Sequence, residues 1–299
     1  MLVLALPGAA DAKPRLAGTF DVSDKPGQIT RGSGGTMWAL IDGNKLARIR
    51  PNGNVTEFSP PELNGPKGLT MGRDGNLWAT QNQEVVRIPP GDPENGAEDF
   101  TVAAIGSPQR IVNGPRGKLW TASDDQLVSF DPADPDGFDA RTIDGMNARG
   151  IAAADGKIWI VDFAGKRIIR TKPSGGLKSF NVGGGPQEVA TGPKKRAAYT
   201  NQGTDPHTVG RIIPKRKPIK NKVPDTDPFG ITFAAGSWWI ANFNSDNLTM
   251  LPVKGKPRRR LNSLPDNCGP RWLAAGAKGT LWVSLENSSQ IARIKGVKR

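Results

Sequence analysis

The sequence predicts an all-β protein: a seven-bladed β-propeller with four antiparallel strands per blade. Three observations support this. A tryptophan or tyrosine recurs every 39 to 43 residues, a strand-like segment precedes each of these aromatic residues by about ten positions, and further strand-like segments follow it. Self-similarity at this period is typical of repeats that bury their faces only by stacking on neighbouring repeats. Seven aromatic markers therefore predict seven blades.

The aromatic markers indicate the second strand of each blade. All but Tyr199 follow a glycine turn and an apolar residue, as in Gly75-Asn76-Leu77-Trp78. The markers are Trp38, Trp78, Trp120, Trp159, Tyr199, Trp239 and Trp282.

An inner strand is predicted before each marker. It opens with a proline or a small residue, and proline at the first residue of a strand sacrifices no ladder hydrogen bond. An apolar or β-branched pair follows three residues later. The opening residues are Pro26, Pro66, Pro108, Ala148, Pro186, Pro228 and Pro270.

Two more strands are predicted after each marker. The third alternates apolar and polar residues, as in Leu46-Ala47-Arg48-Ile49, and period-two alternation is a strand signature. The fourth is more polar, as in Val55-Thr56-Glu57-Phe58. The last repeat has no fourth strand before the chain stops, whereas residues 16–22 read as an outer strand with no blade before them. We expect this segment to complete the last blade and close the ring, which removes an exposed sheet edge.

The repeats account for nearly the whole chain of 299 residues, so we expect one domain at 15–299. Residues 1–14 read as a residual signal or disordered segment, because Leu2 to Leu6 are apolar and Ala10 and Ala12 fit an A-x-A cleavage site. The basic start of a signal is missing, which a start codon further upstream would explain. We expect a secreted, periplasmic or cell-envelope protein; the alternative is a cytoplasmic protein with a short extension.

Composition narrows the classes of partner. No segment approaches 18 apolar residues, which argues against a membrane span. The single cysteine, Cys268, excludes an intrachain disulfide. The net charge of +13 includes clusters at 194–196, 215–217 and 258–260. These clusters predict a basic rim that attracts anionic polymers, although basic residues on edge strands also prevent sheet-to-sheet pairing. No interleaved aromatic residues favour nucleic acid.

A candidate ligand site lies where the inner strands start and the second strands finish. Hairpin counting places Arg149 opposite Asp162, Arg271 opposite Glu286 and Phe229 opposite Asn242, to within a residue or two wherever a bulge occurs. Lys67, Arg149 and Arg271 could hold a carboxylate or phosphate there, while Arg149 with Asp162 and Arg271 with Glu286 could equally be structural pairs. The candidate ligand-binding residues are Lys67, Gln109, Arg149, Asp162, Gln187, Asp227, Phe229, Asn242, Arg271 and Glu286.

The repeat resembles that of the streptogramin B (virginiamycin B) lyase family of seven-bladed propellers. The segments that carry the resemblance are Gly65-Pro66-Lys67-Gly68-Leu69-Thr70, Asp74-Gly75-Asn76-Leu77-Trp78 and Asp227-Pro228-Phe229-Gly230-Ile231-Thr232. The resemblance implies a carbon–oxygen lyase that opens a cyclic depsipeptide at its ester by elimination. It further implies a histidine base and a Mg²⁺ ion held by acidic residues near the channel mouth.

The residues that the resemblance implies for catalysis are missing. The family places its histidines directly after the inner-strand proline, where this chain has Gly27, Lys67, Gln109, Arg149, Gln187, Phe229 and Arg271. Proton abstraction beside a carbonyl needs a base within reach whose pKa lies near the working pH, and Gln and Phe cannot serve. The sole histidine, His207, is expected in a surface loop.

Oxygen donors for Mg²⁺ are also scarce. The candidate donors are Asp162, Asp227 and Glu286. Asn82, Asn242 and Asp162 could be the ligands of a metal-dependent lactonase, but the sequence has no Glu–Asn–Asp set at matching spacing.

Two readings follow. In the first, a non-catalytic or diverged exported propeller binds a small anionic or peptide-like ligand, or a protein, at one channel mouth, with no catalytic residue and no cofactor. In the alternative, the chain is a Mg²⁺-dependent lyase whose base has moved, with Asp227 as substitute.

Overall fold

The computed structural model describes residues 13–203, 207–223, 227–261, 264–277 and 279–297. Seven four-stranded antiparallel sheets form a ring, which confirms the predicted fold class. The inner strand of each blade contacts that of the next, and the inner strand of the last blade contacts that of the first. The predicted signal remnant within residues 1–12 lies outside the described residues. In the described ranges, no helix is long and apolar enough to cross a membrane.

The strands follow the chain outward through each blade. The first strand is β1 (Arg15–Asp21). Blade 1 comprises β2 (Pro26–Arg31), β3 (Met37–Ile41), β4 (Lys45–Ile49) and β5 (Val55–Phe58). Blade 2 comprises β6 (Gly68–Met71), β7 (Leu77–Gln81), β8 (Glu84–Ile88) and β9 (Glu98–Thr101). Blade 3 comprises β10 (Ile111–Asn113), β11 (Leu119–Ser123), β12 (Gln126–Asp131) and β13 (Asp134–Thr142).

The remaining blades repeat this order. Blade 4 comprises β14 (Ala148–Ala154), β15 (Lys157–Asp162), β16 (Arg167–Lys172) and β17 (Gly175–Asn181). Blade 5 comprises β18 (Pro186–Gly192), β19 (Arg196–Asn201), β20 (Thr208–Ile212) and β21 (Ile219–Lys222). Blade 6 comprises β22 (Pro228–Ala234), β23 (Ser237–Asn242), β24 (Asn247–Pro252) and β25 (Arg258–Leu261). Blade 7 comprises β26 (Pro270–Ala275), β27 (Leu281–Leu285) and β28 (Gln290–Lys295), with β1 as its outer strand. Short 3-10 turns occur at Ser33–Gly35, Pro115–Gly117, Phe243–Ser245 and Glu286–Ser288.

The hydrophobic core lies between adjacent blades. Each aromatic marker is on a second strand and is buried. Trp78 of blade 2, for example, packs against Phe130 of blade 3 with ring centroids 5.3 Å apart, in a cluster that also contains Leu119 and Val128. A blade therefore buries its face only on its neighbour, as the repeat period predicts.

The N-terminal strand closes the ring. β1 pairs with β28 from Arg15 opposite Lys295 to Asp21 opposite Gln290. Phe20 stacks on Trp282 with ring centroids 5.4 Å apart. This confirms the predicted completion of the last blade by an N-terminal segment.

A β-bulge near the start of the inner strand changes the predicted cross-strand register. In blade 4, Ala148 pairs with Asp162 and Ile151 pairs with Ile160, so one extra residue lies on the inner strand between the two pairs. The same shift follows the opening proline in blades 1, 5, 6 and 7. The bulge moves these pairs by one residue, within the tolerance of the hairpin counting: Ala148 rather than Arg149 is opposite Asp162, and Pro228 rather than Phe229 is opposite Asn242.

Glycines allow the inner strands to approach closely. A Cβ added to Gly230 would lie 2.1 Å from the backbone oxygen of Arg271 in the next blade. We expect Gly230→Ala to destabilise the protein by about 2 to 3 kcal/mol, because backbone must move to relieve the overlap. Denaturant unfolding measures this. Gly27→Ala is the matched control, since its Cβ would meet Leu40 Cβ at an ordinary 3.4 Å; an equal loss in both variants would contradict the close approach.

Candidate functional site

Two adjacent cavities open at the end of the channel where the inner strands begin. The large mouth cavity has a volume of about 450 Å³ and is lined mainly by blades 3, 4, 5 and 7. The small mouth cavity, of about 230 Å³, lies over blades 1, 2 and 7. They share Gln109, Arg271 and Trp272. Of the predicted site residues, those at the two cavities are Lys67, Gln109, Arg149, Gln187, Phe229, Arg271 and Glu286.

The floor beneath the mouth is set by the residue two places after the residue that opens each inner strand. This position alternates between glycine and a large side chain around the ring. Arg110, Glu188 and Trp272 meet across the channel, whereas Gln28 accepts from the backbone N–H of Leu69 in the next blade. The glycines leave room for the neighbouring blade. In order from blade 1, the residues are Gln28, Gly68, Arg110, Gly150, Glu188, Gly230 and Trp272.

An ion pair crosses the floor from blade 3 to blade 5. Arg110 Nε donates to Glu188 Oε2 at 2.9 Å, and the Glu188 side chain is only 3% exposed. Gly150 lies between them in sequence order, and a Cβ there would be 2.8 Å from Glu188 Oε2. Burial raises the pKa of Glu188, while the charges of Arg110 and Arg271 act in the opposite direction.

Aromatic rings continue the floor on the side of blades 6 and 7. Trp272 lies under the Arg110 guanidinium at 4.8 Å and meets Phe229 edge to face at 5.1 Å. Arg271 lies 4.5 Å over Phe229 and donates from Nη1 to Glu286 Oε2 at 2.6 Å. The predicted Arg271–Glu286 pair therefore forms, and it neutralises one cation of the mouth.

Arg149 is fixed differently. Its Nη1 donates to Gln187 Oε1 at 2.6 Å, and its guanidinium stacks 3.6 Å from the ring centre of Phe163. Gln187 is held by its own hydrogen bond from Nε2 to the carbonyl oxygen of Gly185. Burial lowers the pKa of Arg149, but a guanidinium stays charged at neutral pH. Among the described residues, no carboxylate lies within ion-pairing distance of Arg149.

A carboxylate, Asp124, lines the same large cavity. It is exposed and accepts a hydrogen bond from Ser123 Oγ at 3.1 Å. Lys67 is exposed at the small cavity, and Gln109 donates to the carbonyl oxygen of Ser107. The mouth thus presents a fixed cation and an anion to one volume.

Three predicted site residues line neither cavity. Asp162 is fully buried and accepts from Arg167 Nε at 2.6 Å, so its partner is Arg167 and not Arg149. Asn242 is fully buried and donates to Asn247 Oδ1 and Thr249 Oγ1. These two side chains stabilise the ends of second strands.

The third such residue, Asp227, lies beside the only histidine. The backbone N–H of Asp227 donates to His207 Nδ1 at 2.8 Å, and Asn244 donates to the Asp227 carboxylate. Because Nδ1 accepts a hydrogen bond, the neutral ring carries its proton on Nε2. Neither nitrogen then offers a free lone pair, so this imidazole is poorly placed to act as a general base.

The residues present do not fit Mg²⁺. In the described ranges, no group of three His, Cys, Asp or Glu side chains converges on a possible ion. Two carboxylates at the mouth are committed to arginines, Glu188 to Arg110 and Glu286 to Arg271, and Asp124 in the large cavity accepts from Ser123. Magnesium requires near-octahedral oxygen coordination, which these residues do not supply.

Sequence reasoning missed the floor residues Arg110, Glu188 and Trp272. It treated the residue directly after the proline as the one facing the ligand, whereas the bulge also directs the next residue into the channel. The signal was present in the sequence, since glycine at that next position is replaced by a large side chain in every second repeat.

Comparison with known proteins supports the fold. No family model and no curated protein matches the chain. A catalytically inactive histidine-to-alanine variant of virginiamycin B lyase from Staphylococcus aureus, solved with quinupristin, has a TM-score of 0.83 at 19% identity, covering 95% of this chain and 99% of that one. A streptogramin B lyase structure has a TM-score of 0.82 at 17% identity, covering 96% and 99%. The WD40 β-propeller domain of Doa1 has a TM-score of 0.77 at 7% identity, covering 94% and 97%. The resemblance to the lyases is thus confirmed in the fold.

Proposed function

We propose that this chain is a non-catalytic binding propeller whose large mouth cavity holds a peptide-like ligand by its carboxylate, either a free small molecule or the end of a protein segment. The proposal includes export, for which the apolar N-terminal segment is the support. The observation that carries the binding site is Arg149, a guanidinium fixed by Gln187 and Phe163 at a cavity of about 450 Å³.

The chemistry of the cavity suits a ligand with groups of both signs. Arginine binds carboxylates through two parallel hydrogen bonds, and only one guanidinium nitrogen of Arg149 is engaged by Gln187. Asp124 lines the same cavity and can accept from an ammonium or amide N–H group. Phe229 and Trp272 supply apolar surface in the same cavity. Pockets with convergent polar groups on apolar walls are typical ligand sites.

Titration with alanyl-alanyl-phenylalanine tests the proposal. We expect the free acid to bind at least about tenfold more tightly than its C-terminal amide, because the amide loses the charged hydrogen bond. Arg149→Met should remove that preference. Arg31→Met, which removes an exposed arginine at the other end of a blade, should change affinity less than about twofold. Equal binding of acid and amide, or an unchanged Arg149→Met variant, would refute the site.

The lyase alternative rests on the fold resemblance. In the Staphylococcus aureus enzyme a histidine-to-alanine change is described as catalytically inactive, whereas the sole histidine here lines neither mouth cavity. Incubation with quinupristin and Mg²⁺, followed by chromatography and tandem mass spectrometry, distinguishes the two readings, since elimination opens the ring without changing the mass. Ring opening by the purified protein would overturn the non-catalytic reading.

A further inference from the structure

Four blades share an arrangement on their outer half. The third strand places an arginine opposite the second-strand tryptophan, as with Arg48 opposite Trp38 and Arg170 opposite Trp159. In blade 1, the Arg48 guanidinium lies 5.6 Å over Trp38. The same pairing occurs for Arg87 with Trp78 and for Arg293 with Trp282.

A phenylalanine from the outer strand completes this stack. Arg48 lies 4.8 Å over Phe58, and Arg293 lies 5.2 Å over Phe20. The equivalent residues are Phe100 in blade 2 and Phe180 in blade 4. In blades 1, 4 and 7 the guanidinium lies over both rings, and in blade 2 it lies over Phe100, which packs against Trp78.

Blade 3 lacks both covering groups. Ser129 is opposite Trp120, where the other blades have arginine, and Arg141 takes the phenylalanine position opposite Leu127. A cavity of about 290 Å³ remains, lined by Trp120 and Ser129 among others. We call this cavity the blade 3 slot.

Blade 6 shows that such a position can be filled without charge. Met250 lies opposite Trp239 and Leu261 lies opposite Leu248, and both are buried. The open slot is therefore a property of the side chains chosen in blade 3 and is not required by the fold.

The rim of the slot is strongly cationic. It is lined by Arg116, Lys118, Arg141 and Lys172, against the single carboxylate of Asp139. Lys118 pairs with Asp139, and Arg141 Nη1 donates to Thr171 Oγ1 at 3.0 Å. In the part of the chain that the structure describes, no hydrogen bond from the side chain of Arg116 or Lys172 is found, so two cations are available to an anion.

The tryptophan ring is fixed at the base of the slot, where 6% of its surface is exposed. Trp120 Nε1 donates to the carbonyl oxygen of Pro115 at 3.4 Å. A cation would favour the ring face, but the surrounding positive charge opposes a cationic ligand. A neutral ring that carries an anionic substituent fits both the interior of the slot and its cationic rim.

We propose that the blade 3 slot binds an aromatic ring bearing a phosphate or carboxylate group, with the ring inside the slot against the exposed part of Trp120 and the anion among Arg116, Arg141 and Lys172. The slot lies at the opposite end of the molecule from the mouth, since Arg116 is in the turn between β10 and β11 and Lys172 ends β16. The proposal is thus independent of the function assigned to the mouth.

Ligand-observed NMR titration with phenyl phosphate, inorganic phosphate and phenol tests it. We expect phenyl phosphate to bind at least about tenfold more tightly than either fragment, because it combines burial of the ring in the slot with the charge contact at the rim. Ser129→Met keeps every cation but fills the slot as Met250 does in blade 6, and it should weaken phenyl phosphate at least about tenfold. Arg141→Leu, which introduces the side chain that blade 6 has at Leu261, should do the same by removing charge.

Controls separate the site from general charge and from misfolding. Arg31→Leu removes one exposed cation at the same end of the molecule and should leave affinity within about twofold. Unchanged melting temperatures confirm that the variants fold. Binding that survives Ser129→Met, equal binding of phosphate and phenyl phosphate, or an equal loss in Arg31→Leu would each overturn the proposal.

Discussion

Removal of residues 1–22 is expected to lower the free energy of unfolding by about 5 kcal/mol or more, at the extreme of single-site effects, and to make the protein self-associate. The truncation deletes β1, and with it the hydrogen-bonded ladder on β28 and the Phe20 ring that stacks on Trp282. It also exposes β28 as an unpaired edge, which is a template for intermolecular pairing.

Guanidinium unfolding and size-exclusion chromatography measure both effects. The matched control removes residues 1–12 only, which leaves β1 intact. A single change, Phe20→Ala, should cost about 3 kcal/mol through the lost ring contacts alone. If the two truncations were equally stable and equally monomeric, β1 would not be the element that closes the ring.

Replacement of Glu188 by leucine is expected to destabilise the protein by about 3 to 5 kcal/mol, because it leaves Arg110 with an uncompensated charge in the channel floor. Arg110 is 18% and Glu188 3% exposed in their side chains, so solvent screens the pair weakly. Since burial raises the pKa of Glu188, the cost of burying its charge exceeds the stabilisation it receives from Arg110. The pair should therefore matter mainly when only one partner is removed.

The double variant Arg110→Met with Glu188→Leu provides the decisive comparison. We expect it to recover most of the stability lost in the single variant, as replacement of buried ion pairs by apolar residues often does. Urea unfolding of the wild type, both single variants and the double variant gives the coupling free energy. A double variant no more stable than Glu188→Leu would show that the floor depends on charge and not on filling.

The fold could be predicted from the sequence because each blade carries the same local sequence pattern. The aromatic marker, the glycine turn before it and the proline that opens the inner strand recur independently in most blades, so one weak repeat such as that of Tyr199 does not change the count. Ring closure followed from the missing outer strand of blade 7.

The site was harder to predict from the sequence, because it depends on features that a repeat does not encode. A one-residue bulge moves Arg149 out of register with Asp162, and hairpin counting does not detect it. The partner of Arg149, Gln187, lies in the next blade. The partner of Arg110 is 78 positions away in blade 5, at a separation set by packing across the channel. Arg271 and Glu286, in contrast, lie in one hairpin, and counting along that hairpin was enough to pair them.

The alternation of glycine and large residues in the floor has a consequence for how a guest molecule would sit. Strict alternation is impossible around an odd-numbered ring, and the mismatch falls at the seam between blades 7 and 1, where bulky Trp272 and Gln28 are neighbours. Seven similar blades would otherwise offer seven nearly equivalent poses. Because two large side chains are neighbours at this one seam, the seven blades are not equivalent. A ligand in the channel therefore has one preferred orientation about the channel axis.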